Sequence, residues 1–133
     1  MNRWDVLLVL VTLATLGCGP SGPTTYPVKG TVTLDGTPVE AGDVIFLDAG
    51  NQLAPYAGKI QNGQFEFQSS EGKKRVEIRA SRMEKLPPGQ QGAMGETEAA
   101  VDYIPERYNL NSELTAEVKQ GGQSDLEFPL VSK

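Results

Sequence analysis

With no histidine and a single cysteine, Cys18, the sequence offers no Ser-His-Asp triad, no Cys-His pair and no conventional zinc site. Most hydrolase mechanisms are therefore not expected. Paired carboxylates for glycoside cleavage remain conceivable, but seventeen acids scattered over solvent faces follow the ordinary surface pattern, and a small domain offers little cleft. Asp43 and Asp48 invite a loop calcium reading, yet their spacing matches no EF-hand, and solvated surface acids explain them. No glycine-rich phosphate loop or nucleotide motif occurs. The expectation is a non-enzyme without metal or cofactor.

The densest concentration of charge is basic. Lys73, Lys74, Arg75, Arg79, Arg82 and Lys85 place six of the twelve basic residues within thirteen positions. One reading is a contact stripe for an anion or an acidic glycan, with Lys73, Arg75 and Arg79 as its core and Tyr103 and Tyr108 as candidate aromatic neighbours. The plainer reading is a strand edge kept soluble by charge and balanced by Glu77 and Glu84. Across the whole chain, 17 acids against 12 bases give a net charge of −5, which argues against nucleic acid as a partner.

The elements that must position these residues begin behind an address. Met1–Asp5 is short and polar, and Val6–Leu16 is an almost unbroken apolar run, the shape of a signal peptide. The run is well short of the roughly 20 residues that cross a bilayer core. It ends in Thr15-Leu16-Gly17-Cys18, which resembles the lipobox of bacterial lipoproteins. Thr15 and Leu16 depart from the usual leucine and small residue at those positions. The resemblance implies cleavage after residue 17 and lipid on Cys18: a diacylglyceryl group, with or without an amide-linked chain. Two or more acyl chains anchor stably where one binds marginally. Since Cys18 is the only cysteine, no internal disulfide competes for it. Residues 19–25 are Gly, Pro, Ser and Thr only, the composition of a linker, spanning at most about 23 Å. The expected organisation is leader 1–17, lipidated cysteine and linker 18–25, and one folded domain 26–133.

Within that domain the apolar period is two. Val28, Gly30, Val32 and Leu34 alternate with Lys29, Thr31, Thr33 and Asp35, and Asp35-Gly36-Thr37-Pro38 is turn chemistry. Val44-Ile45-Phe46-Leu47 is apolar on both sides, as a central strand is. Asn62-Gly63 is a strong hairpin signal between 56–61 and 64–68, with Phe65 and Phe67 facing inward. Residues 73–81 alternate again, setting Lys74, Val76, Ile78 and Ala80 against Lys73, Arg75, Glu77 and Arg79. Leu114, Ala116 and Val118 are expected to pair across Gly121-Gly122 with Leu126, Phe128 and Leu130. About seven strands and no sustained helical period predict an all-β protein, an antiparallel β-sandwich, with a closed barrel as the alternative. Residues 83–111 break the rhythm, and Glu84–Ala100 is expected to be mobile, either a tolerated insertion or a recognition loop.

Several motifs in order carry a further resemblance: Val28-x-Gly30-x-Val32-x-x-Asp35-Gly36-x-Pro38-Val39, Gly42-x-Val44-x-Phe46, Asn62-Gly63-x-Phe65-x-Phe67 and Gly72-Lys73-x-x-Val76-x-Ile78. They look like the carboxypeptidase regulatory-like domain. The ending, Tyr103-Ile104-Pro105-x-x-Tyr108-Asn109 before Leu114-Thr115-x-x-Val118, is similar to short bacterial lipoproteins that carry it. This implies a transthyretin-like sandwich and contributes no catalytic residue. The family often has an aromatic residue where this chain has Lys74. The expected function is a membrane-anchored envelope module that is structural or binds protein; the alternative is a surface lipoprotein that binds carbohydrate or a small ligand. The expected state is a monomer held at the membrane by its lipid, facing periplasm or cell exterior.

Overall fold

The computed structural model describes residues 17, 19, 22–50 and 54–133. The leader up to residue 16 and the proposed lipidation site Cys18 lie outside the described residues.

Ten strands and one short 3-10 turn follow in chain order: β1 (Thr25–Leu34), β2 (Thr37–Pro38), β3 (Ala41–Asp48), β4 (Tyr56–Gln61), β5 (Gln64–Ser70), β6 (Gly72–Arg79), β7 (Ser81–Lys85), β8 (Glu98–Asp102), the 3-10 turn Glu106–Tyr108, β9 (Thr115–Val118) and β10 (Gln123–Leu130). Seven of the strands form one path, β10-β1-β5-β4-β3-β6-β9, with β2 attached to β1. The path is a single sheet curled into two layers. β4 and β5 pair only at Ile60–Phe65 and Gln61–Gln64, next to their turn, and then diverge into opposite layers. The two ends of the path, β9 and β10, come back into contact without forming a ladder. The protein is thus an all-β sandwich, and not a closed barrel.

Local chemistry explains the corner between the layers. Asn62 and Gly63 both take positive φ, 53° and 77°, the geometry of the tight hairpin turn whose twist matches its flanking strands. Asp35 and Gly36 repeat it, at 51° and 81°, between β1 and β2. The period-two pattern then decides which side chains meet. Val28, Val32, Phe65, Phe128 and Leu130 come from one layer, and Val44, Phe46, Ile60, Val76, Ile78, Ala116 and Val118 from the other, all buried. Phe46 and Phe67 join the layers edge to face at 4.9 Å. Phe65 stacks on Phe128 at 5.9 Å although β1 lies between their strands. Gly30 makes this possible, because a Cβ there would occupy the space of the Phe65 ring and of Leu126.

Three expectations are corrected. Residues 114–118 and 126–130 do not pair with each other: β9 runs antiparallel to β6, and β10 runs parallel to β1. The glycines at 121 and 122, with φ of 90° and 104°, turn the chain from one layer to the other, so both strands still send their apolar residues into one core. The region after Ser81 is not a plain loop. β7 and β8 form a separate two-stranded ribbon, Ser81 opposite Asp102 and Lys85 opposite Glu98. Its tip is built from turns closed by Gln90 N–H to Pro87 C=O at 3.0 Å and Gly95 N–H to Gly92 C=O at 3.0 Å. The basic strand β6 is an edge only in its second half: β9 pairs with Gly72–Arg75, whereas Glu77 and Arg79 are laddered to β3 alone.

Candidate functional site

The outer face of β6 presents the side chains that alternation assigned to solvent. Arg75 and Arg79 each donate to a different oxygen of Glu77, both at 2.9 Å, and cover it so that 6 % of the glutamate side chain remains exposed. Arg79 stands opposite Asp43 on β3, and Asp43 accepts from Lys59 of β4 at 2.6 Å. Cations and anions therefore alternate across three strands, over the half-buried Ile45 and Leu47. Most of the positive charge is spent internally. Lys73 is exposed opposite Glu117 of β9. The stripe of Lys73, Arg75 and Arg79 is real as a geometric row, but Glu77 already occupies the space between the two guanidiniums.

Tyr103 and Tyr108 do not join that row as stacking partners. Each is half-buried against the core under a different arginine, Tyr103 below Arg82 with 5.2 Å from guanidinium to ring centre, and Tyr108 below Arg107 at 4.9 Å. Tyr108 also fastens the carboxyl-terminal tail. Its hydroxyl accepts from the Val131 N–H at 3.2 Å, and Arg107 donates to the Val131 carbonyl. One residue on, the Asp35 carboxylate accepts from the Ser132 hydroxyl at 2.5 Å and its N–H at 3.0 Å. These bonds, the Ser132 hydroxyl first, hold the Asp35 carboxyl below its ordinary value. The Arg107 guanidinium beside it, ahead of the Val131 amide, does the same for the Tyr108 phenol.

Sequence reasoning missed the most unusual polar group in the molecule. Lys74 lies inward with Val76 and Ile78, and its side chain is fully enclosed, at 0 % exposure. Its ammonium donates to Ser70 Oγ at 2.8 Å and to Asp48 Oδ1 at 3.1 Å, and faces the Tyr56 ring at 5.8 Å. A buried ammonium is tolerable only when so partnered. The alternation placed Lys74 on the inward side, and that was the available signal. Asp48, expected to be a solvated acid, is instead the counter-ion, and Asp43 is likewise paired.

A serine hydroxyl 2.8 Å from a lysine ammonium invites comparison with a nucleophile and its base. The geometry is that of a structural pin: the Asp48 carboxylate is bonded to the same ammonium, and Ser70 is itself buried. The cluster ties the ends of β3, β5 and β6 together. Among the described residues no three His, Cys, Asp or Glu side chains converge as a metal site requires.

The β7–β8 ribbon differs from all of this. Of its ten strand residues only Glu84 and Ala99 are partly covered. Met83, at 63 % exposed, Val101 on the opposite strand, and Met94 at the tip, 91 % exposed, are large apolar side chains left in water.

No family model matches the chain, and no curated protein does. Among solved structures, a DUF3823 family protein from Parabacteroides merdae is similar over 81 % of this chain, with 14 % identity and a TM-score of 0.41. This chain spans 46 % of that protein's length. The protein is, by its own geometry, a β-rich sandwich carrying an exposed ribbon.

Proposed function

We propose that the chain is a membrane-anchored lipoprotein of the cell envelope whose sandwich, of the carboxypeptidase regulatory-like type, is a non-catalytic module that holds a protein partner. Cys18 carries the lipid in this reading, supported by the leader and its Gly17-Cys18 junction. The domain then faces periplasm or cell exterior on a short linker, since β1 starts at Thr25.

The observation that carries the partner reading is the ribbon. A lone two-stranded hairpin is marginally stable in water, and large apolar residues exposed on such an element are what an interaction surface presents. Methionines add adaptable contact. The buried Lys74 cluster and the internally neutralised Arg75–Glu77–Arg79 row support a scaffold reading for the rest.

Metabolic labelling with a fatty-acid analogue tests the anchor: the wild-type chain takes label and fractionates with membranes, and Cys18→Ser does neither. Label retained in the mutant contradicts the anchor. Photo-crosslinking from position 102, an exposed ribbon position that the replacement below retains, tests the partner in intact cells. A discrete adduct is expected that vanishes when residues 83–100 are replaced by a short Gly-Ser turn; an adduct pattern unchanged by that replacement contradicts the reading.

A further inference from the structure

A second surface, remote in character from the ribbon, lies on the outer face of β10-β1-β5-β4. There the sheet forms a shallow dish of about 810 Å³. Its volume falls in the range of small-ligand sites, about 300–1,000 Å³, but its lining is polar where such sites are mostly apolar. The dish has a structural cause. Between Val28 and Gly30 β1 advances two residues while β10 advances three, from Gln123 to Leu126, so Ser124 and Asp125 bulge against a single partner.

The register sets four side chains in one row across four strands. Glu127 of β10 lies opposite Thr31 of β1, Thr31 opposite Gln64 of β5, and Gln64 opposite Gln61 of β4. All four are exposed. Neighbouring strands lie about 4.8 Å apart, so the row extends about 14 Å. The structure gives none of the four a side-chain hydrogen-bond or ion-pair partner among the described residues. The lysines of the dish, by contrast, are engaged: Lys29 with Glu66 at 3.4 Å and Lys59 with Asp43 at 2.6 Å.

We propose that this row binds a neutral oligosaccharide laid across the strands. A carboxylate, a hydroxyl and two primary amides offer both donors and acceptors, the set that pairs with adjacent sugar hydroxyls. Their spacing is close to the length of one pyranose unit, so successive sugars meet successive strands. The carboxylates of Asp125 and Glu127 disfavour an acidic polymer, because both cations of the dish are already neutralised. A protein strand would seek backbone at a sheet edge rather than side chains on a face. Without an aromatic platform each contact is weak, and density on the membrane supplies avidity.

The test is an NMR titration of the isotopically labelled full-length chain in detergent micelles with cellohexaose, maltohexaose and hexagalacturonate. At least one neutral hexasaccharide is expected to shift the side-chain amide signals of Gln61 and Gln64 and the backbone signals of Thr31 and Glu127, while the acidic one leaves them in place. The double variant Gln61→Ala/Gln64→Ala, both exposed positions, is expected to weaken that binding about tenfold with melting unchanged. Absence of shifts at the row with both neutral probes, equal binding of the acidic probe, or full affinity in the double variant overturns the proposal.

Discussion

The sandwich and the β7–β8 ribbon are made of the same backbone ladder and differ in what covers it. In the sandwich, β3 has Val44 and Phe46 fully buried on one face and Ile45 and Leu47 half-covered on the other. In the ribbon, Met83 and Val101 face water on both sides. β3 is also bonded on both edges, to β4 and β6, while each ribbon strand is bonded on one edge only; because each backbone hydrogen bond adds little net stability, the buried apolar area carries most of the difference. On the function proposed above, stability resides in the sandwich and recognition in the ribbon. Five variants, at four places in the molecule, can break or sharpen that division.

The largest effect belongs to the sandwich core. Phe65 packs against Phe67 and Phe128, both at 5.9 Å, and Phe65→Ala is expected to cost about 3–5 kcal/mol in denaturant melts. A cost below about 1 kcal/mol would place the core elsewhere.

Next comes the enclosed ammonium. Asp48→Ala leaves Lys74 without its counter-ion and is expected to cost about 3 kcal/mol, the lower end for a broken buried pair because Asp48 keeps 28 % exposure. Lys74→Met removes the charge as well as the need for a partner and is expected to cost under about 1.5 kcal/mol. Equilibrium unfolding of both variants decides the matter, and the reverse order would mean that the pair is a net stabiliser.

The tail fastening is smaller and depends on pH. The folded Asp35 carboxyl is depressed below its ordinary 3.8, so its contribution is fully present above that value and fades as pH falls through the lowered folded value. Asp35→Asn is expected to flatten the dependence of stability on pH below about 4 and to leave it unchanged near neutrality. Thermal melts across that window read it directly, and an identical slope in the variant would remove Asp35 from the fastening.

The smallest effect is expected at the ribbon. Replacing residues 83–100 by a short Gly-Ser turn should change stability by less than about 1 kcal/mol, because loop closure depends weakly on length and nothing in the core is lost. Unfolding of the domain would show that the ribbon belongs to the sandwich.

The parts of the fold that were legible in sequence are those fixed by neighbours along the chain. Asn62-Gly63 marked its turn because positive φ at two successive positions demands such residues. The alternation of residues 28–34 and 73–80 marked the inward faces because a strand has period two. Partner choice was not legible: residues 114–118 and 126–130 look like a hairpin locally, and only the layered packing sends them to β6 and β1. Ser81–Lys85 hid from the period because both its faces are wet, leaving no alternation to detect. The Lys74 cluster is intermediate, since its direction was readable and its partners, 26 residues away at Asp48 and four at Ser70, were not. Of the candidate contact residues, Arg75 and Arg79 proved to be tied by Glu77, and Tyr108 by the tail.

The most direct test of the division between a self-sufficient sandwich and a partner-seeking ribbon is amide hydrogen exchange, measured on the purified full-length chain and again in native membranes. In the purified chain, amides of Arg82–Lys85 and Glu98–Val101 are expected to exchange far faster than those of β3 and β6, and in native membranes they are expected to become protected while β3 and β6 stay unchanged. Ribbon amides as protected as β3 in the purified chain, or still unprotected in native membranes, would contradict the account.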